Sequence, residues 1–163
     1  TYYSNPLDNN IGWHNFAFYY LDYLQASANQ YSINLLLNNG SNLVSFYSLP
    51  EDKLVENIFS NISDNMIGIS GAAGASMIIE NSWVGSLMEL SDQQGYWITM
   101  HTSDTLSITG DTFDPYQVYN LHTGYNLISF PSEKTIDLSE GIPDLVEDSF
   151  YGVNKVSPIN GFC

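Results

Sequence analysis

Three histidines, His14, His101 and His122, are the side chains best suited to ligate a metal ion, and they are scattered along the chain. None sits at the short spacing that would clamp a metal ion, so a surface role on strands is expected for them. Serine offers no better nucleophile. Gly68-Ile69-Ser70-Gly71 and Val84-Gly85-Ser86-Leu87 both lack the Gly-x-Ser-x-Gly pattern of a strained strand-to-helix turn. Gly71-Ala72-Ala73-Gly74-Ala75 lacks the Lys-Ser/Thr of a phosphate loop and reads as a tight turn. Asp111 and Asp114 could offer Ca²⁺ two carboxylates, but they also suit a turn closed by Pro115, and Asp8-Asn9-Asn10 reads the same way. No acidic pair has the context of glycosidase carboxylates. The remaining chemistry is aromatic. Trp83, Tyr96 and Trp97, with Trp13, could stack on sugar rings while Asn and Asp bind the hydroxyls. Of these, Trp13 and Trp97 are expected in the core and Trp83, beside Gly85, at the surface. A non-enzymatic protein without a cofactor is expected, Ca²⁺ at Asp111 and Asp114 being the one metal considered.

Composition narrows the partners. Eighteen acidic residues stand against three lysines and no arginine, for a net charge of −15. Nucleic acid and anionic membrane surfaces are poor partners for such a chain, since both require basic residues. Hydrophobic residues make up 44% of the chain, enough to build a core. Only 13% are charged, so the surface must be largely Asn, Ser, Thr, Gln and Tyr. Such a surface suggests an extracellular, cell-surface or virion setting. The single Cys163 leaves no internal disulfide. No apolar run approaches the roughly 20 residues of a membrane span, and no basic-then-apolar leader appears, which a mature chain would in any case have lost.

The elements that would position these residues are mostly strands. Trp13 to Leu24, Tyr31 to Leu37 and Asn42 to Ser48 alternate or are aromatic, and Asn38-Asn39-Gly40 predicts a hairpin-type turn. Pro50, Glu51 and Asp52 predict a helix start, with Leu54, Val55, Ile58, Phe59 and Ile62 on its inner face. Strands follow at Met66 to Ser70, Ser76 to Glu80, Gly95 to His101 and Thr105 to Thr109. Tyr116 to Leu121 opens a second cycle, in which Thr135 to Asp148 takes the helix place with Leu138, Ile142, Leu145 and Val146 inward.

The second cycle repeats the first in letters as well as pattern. Gly40-Ser41-Asn42-Leu43-Val44-Ser45-Phe46 recurs 84 residues on, from position 40 to 124, as Gly124-Tyr125-Asn126-Leu127-Ile128-Ser129-Phe130. The same offset matches Ile58 with Ile142, Ile62 with Val146, Asp64 with Asp148 and Gly68 with Gly152. More faintly it matches Leu37 with Leu121, Trp13 with Trp97, Asp8 with Asp92 and Asn9-Asn10 with Gln93-Gln94. The expected fold is therefore mainly β (α+β): two tandem-repeat modules of about 84 residues, each a small twisted sheet or barrel with one helix. Residues 1–39 are the second half of a repeat, 40–123 a complete one, and 124–163 the first half of another.

Gly124-Tyr125-Asn126-Leu127-Ile128-Ser129-Phe130-Pro131 resembles the GWNLISFP opening of a repeat found in secreted and surface proteins of bacteria. In that family a Trp-x-Gly-Ser-Leu segment and a Gly-Tyr-Trp segment follow, as Trp83-Val84-Gly85-Ser86-Leu87 and Gly95-Tyr96-Trp97 do here. Ser41 and Tyr47 depart from it, replacing an aromatic and a proline. The resemblance implies an extracellular β-rich module accessory to a larger protein, with no catalytic residues to carry over.

A half-repeat leaves an apolar face and strand edges uncovered. The two halves could close on each other within one chain, join head to tail between chains, or meet neighbouring repeats of a longer protein. The expectation is a non-enzymatic structural or assembly module, forming a filament or surface or virion appendage contacts. The aromatics of the half-repeats, Trp13, Phe150, Tyr151 and Phe162, are the expected assembly contacts. The alternative is a carbohydrate-binding or adhesion module.

Overall fold

The structure, a computed structural model, describes residues 30–114, 117–130 and the single positions 137, 141, 142, 149 and 152. The strand expected at Trp13 to Leu24, the contacts expected of Trp13, Phe150, Tyr151 and Phe162, and most of the helix expected at 135–148 lie outside them. Of that helix, Gly141 N–H donates to Asp137 O at 3.0 Å, a helical i to i−4 bond.

The fold is mainly β, with two antiparallel sheets. Strands β1 (Gln30–Leu37), β2 (Gly40–Ser45) and β3 (Ser48–Leu49) come first. A one-turn helix α1 (Val55–Ile58) and a 3₁₀ turn at Ser63–Asn65 follow. Then come β4 (Met66–Gly71), β5 (Gly74–Ile79), β6 (Ser82–Gly85), β7 (Gly95–Met100) and β8 (Asp104–Thr112). One sheet has the order β1-β8-β3 and the other β2-β7-β4-β5-β6. None of the helices among the described residues is long and apolar enough to cross a membrane.

Asn38-Asn39-Gly40 does not make the expected hairpin, because β1 and β2 are not partners. β1 pairs with β8 from Gln30↔Asp111 to Leu37↔Asp104, and β2 pairs with β7 from Gly40↔Met100 to Ser45↔Gly95. The chain turns a corner from one sheet into the other at Asn38-Asn39, while its partner turns beside it at His101-Thr102-Ser103. Two residues oppose three there, so the corner is a bulge that bends both strands together. Gly40 takes φ +89°, a conformation that side chains resist.

The other turns follow their residues closely. Ala72-Ala73 links β4 to β5, with Gly71 opposite Gly74. Glu80 and Asn81, at φ 48° and 62°, make the two-residue turn from β5 into β6, a strand the sequence patterns had not suggested. The helix is shorter than expected and begins after Pro50. Leu54 bridges to Glu89 as extended chain, and Asp52 accepts hydrogen bonds from Leu54 N–H (3.1 Å) and the Asn57 amide (2.7 Å). The helical spacing still buries Val55, Ile58, Phe59 and Ile62. They fill the core with Leu37, Leu106 and Ile108 of one sheet, and with Val44, Tyr96 and Ile98 of the other.

Candidate functional surfaces

Strand alternation decides what β7 offers to solvent. Tyr96, Ile98 and Met100 point inward and are buried. Trp97 therefore points outward and is 44% exposed, the reverse of the core position expected for it. Trp83 is reversed as well. It is half-buried, with its ring 6.2 Å from that of the buried Phe59. Tyr96 is fully buried and offers no ring face to a ligand. Its hydroxyl accepts Ser91 N–H (2.6 Å) and lies 3.3 Å from Ser91 O, tying down the loop before β7. Burial pushes the phenol pKa above 10.0; the Ser91 hydrogen bond opposes this and the negative Asp92 adds to it.

The outer face of the five-stranded sheet carries exposed Ile67, Met77, Val84 and Trp97. A shallow depression of about 400 Å³ runs along it, lined by Ile67, Met77 and Val84 with Ser70 and Thr99 at its margin. Its lining holds no Asp, Glu, His, Lys or Cys side chain. Ser86 Oγ instead accepts the backbone N–H of Ala75 at 3.4 Å. Among the described residues no group of three or more His, Cys, Asp or Glu side chains is placed to hold a metal ion. Asp111 lies within β8 between Gln30 and Leu49, while Asp114 O accepts Gln117 N–H at 3.1 Å. His122 Nδ1 lies 2.9 Å from Thr123 O, and His101 N–H donates to Asn65 O at the sheet corner.

The corner itself is held by asparagines. Asn42, buried at 7% exposure, accepts Asn38 N–H at 2.9 Å and donates to Asn38 O (2.8 Å) and Gly40 O (3.2 Å). It also reaches Ile98 O, 3.4 Å across the ladder. Asn65 holds the partner strand. Its carbonyl accepts His101 N–H (2.7 Å), its Oδ1 accepts the Thr102 hydroxyl (2.6 Å) and its amide donates to Asp104 (3.0 Å). That bond, then one from Thr105 N–H, holds the Asp104 carboxyl below the ordinary 3.8, against a smaller desolvation effect.

Asn126 makes the local bonds of Asn42 once more. It accepts His122 N–H at 3.0 Å and donates to His122 O (2.8 Å) and Gly124 O (3.3 Å), with Gly124 at φ +104°. Beyond it the chain lies against the loop before β7. Ile128 bridges Gln94, Gly95 N–H donates to Leu127 O (3.2 Å) and Ser129 N–H to Gln93 O (3.2 Å). The buried Ser129 hydroxyl donates to Asp92 O and is 3.2 Å from the Tyr119 hydroxyl.

What surrounds the two asparagines differs. Leu37, Val44 and Phe46 are 1%, 8% and 1% exposed. Leu121, Ile128 and Phe130 are 43%, 44% and 42% exposed. Gln117 to Leu121 is not a strand, contrary to expectation, and it has no ladder partner among the described residues. Sequence reading found the recurrence of this segment but missed the asparagine as its working residue. The signal was there: an Asn two positions after a Gly in both copies. Compared with known proteins, the chain matches no protein family, no curated protein and no solved structure.

Proposed function

We propose that this protein is a non-enzymatic structural module of a repeat-built extracellular protein, at a cell or virion surface, and that its function is assembly. Incomplete repeats complete one another. One observation carries this reading: Leu121, Ile128 and Phe130 are 43%, 44% and 42% exposed, while residues 84 positions earlier, around the matching asparagine clamp, are core. About 25 cal/mol is gained per Å² of such apolar surface removed from water, so covering this face is favourable. Carried out between copies, the completion builds a head-to-tail filament; within one chain it closes a second module. The absence of arginine and the low share of charged residues, 13%, support the extracellular setting.

Light scattering across a concentration series, with electron microscopy and hydrogen exchange on the same samples, tests the reading. Protected amides at Asn126 to Phe130, lost in Phe130→Asp, are expected. A monomer at every concentration with these amides exchanging freely would overturn it. The exposed Trp97 favours one second reading, a weak carbohydrate-binding platform on the outer sheet face. Binding on a glycan array that disappears in Trp97→Ala would support that reading over assembly.

A further inference from the structure

The corner between the two sheets carries a reactive dipeptide. Asparagine is a thermally labile side chain, because the main-chain nitrogen that follows it can attack its amide carbon. A side chain on the following residue crowds that approach, and glycine has none. Among the described residues Asn39 is the one asparagine followed by glycine; the others precede Leu, Ile, Met, Asn or Ser. We propose that Asn39-Gly40 is a self-modification site, at which the corner converts its own asparagine into aspartate and isoaspartate. The Gly40 nitrogen gives up its proton and bonds to the Asn39 side-chain carbonyl carbon. The bond from that carbon to Nδ2 breaks, the proton passes to the leaving nitrogen, and ammonia departs from a five-membered succinimide. Water then opens the ring at either carbonyl, leaving a carboxylate and one more negative charge.

The geometry admits each step. Leu37 pairs with Asp104 and Gly40 with Met100, so Asn39 lies in the bend between the two ladders. Asn39 is exposed, so water reaches its amide. A Cβ built on Gly40 would meet nothing within 4 Å, so the ring has room. The opposing restraint is small. The Asn39 amide donates to His101 O, and one net hydrogen bond slows the departure of ammonia about fivefold. The bond from Asn39 N–H to Ser103 Oγ, 3.0 Å, is not in the path. The two products differ in consequence. Aspartate keeps the main chain and loses the bond to His101 O, against which its carboxylate now stands. Isoaspartate routes the main chain through the side chain and adds one backbone atom between Asn38 and Gly40. Asn42 grips both of those residues, at Asn38 N–H and O and at Gly40 O, so the added atom pulls its clamp apart. The matching corner around Asn126 has Thr123 before Gly124 and is exempt from this chemistry.

The test is incubation of the full chain at mildly alkaline pH, followed by trypsin digestion and tandem mass spectrometry at intervals. Cleavage after Lys53, Lys134 and Lys155 puts Asn39 in fragment 1–53 and the second Asn-Gly, Asn160-Gly161, in fragment 156–163. The second site is the reference clock in the same solution. Asn39 should become about one dalton heavier, with isoaspartate among the products, at a rate within about tenfold of that at Asn160. The rate should fall at mildly acidic pH, because the Gly40 nitrogen must lose its proton. Asn39→Gln, which keeps an amide but would have to close a larger ring, should stay unmodified at that position. Hydrogen exchange on the aged protein should show Asn38 N–H less protected in the isoaspartate fraction than in the Asn39→Asp variant. An Asn39 that remains an amide, or lags Asn160 beyond that range, overturns the proposal. So does conversion spread evenly over the other asparagines of fragment 1–53. Equal protection in the isoaspartate fraction and in Asn39→Asp overturns the effect on the clamp.

Discussion

Asn42→Ala should unfasten the corner on which both sheets turn. The Asn42 side chain is buried and makes two short bonds, at 2.9 and 2.8 Å, to the backbone of Asn38, plus longer ones to Gly40 O and Ile98 O. Each net hydrogen bond contributes about 1 kcal/mol, so the two short bonds account for about 2. Leaving the half-buried Asn38 N–H without an acceptor adds about 1 more, and the total loss is about 2–4 kcal/mol. Asn42→Asp separates geometry from chemistry. It keeps an acceptor for Asn38 N–H but turns a carboxylate oxygen toward the carbonyls of Asn38, Gly40 and Ile98, so it should be at least as costly. Urea unfolding reads both, as a fall in midpoint at unchanged slope. A loss below about 0.5 kcal/mol for Asn42→Ala, within the range of neutral surface changes, would refute the clamp. So would an Asp variant as stable as the parent. Asn126→Ala serves as the comparison. Where the exposed apolar face around Asn126 is uncovered the substitution costs little, and where incomplete repeats complete one another its cost should approach that of Asn42→Ala.

Tyr96→Phe should cost about 1–2 kcal/mol at neutral pH, from the lost contacts to Ser91. The raised phenol pKa means that its stabilisation is complete below 10.0 and is lost as pH rises through the folded value; the alkaline limb of stability against pH should therefore flatten in the variant. Asp104 behaves in the opposite sense: its depressed pKa gives a contribution present above 3.8 and lost as pH falls through the folded value. In Asn65→Ala, a carbon-detected NMR titration should find the Asp104 carboxyl moved back toward 3.8, and an unmoved value would mean Asn65 is not its main partner. Phe59→Ala should cost about 3–5 kcal/mol and Trp97→Ala much less, because Phe59 is fully buried and Trp97 is not. Equal costs in urea unfolding would contradict the assigned faces of β7.

Short-range patterns were legible where one residue type forces one geometry. Gly71 to Gly74 read as a turn and is one, and alternation located β1, β2, β7 and β8. Partner choice was not legible. Asn38-Asn39-Gly40 has hairpin chemistry, yet β1 and β2 separate into different sheets because their partner strand bends with them. The helical spacing of Val55, Ile58, Phe59 and Ile62 correctly named buried residues while overstating the helix, since one turn followed by a 3₁₀ turn suffices to bury them. The two tryptophans were exchanged for a similar reason. Recurrence at Trp97 was read as a packing position, but a strand presents every second residue outward. Trp83, read as surface from its neighbouring turn, covers Phe59 instead.

The pairing of Gln30 with Asp111 has a mechanical meaning. The chain enters β1 and leaves β8 at the same end of one antiparallel ladder. Tension applied at Gln30 and Asp111 therefore pulls the two strands apart from that end. It loads the hydrogen bonds one after another instead of shearing eight residue pairs at once. The ladder peels until it reaches the asparagine corner, where both strands change sheet and the direction of load no longer matches the direction of opening. Under pull the module would yield in two stages, first the β1–β8 zipper and then the corner with everything behind it.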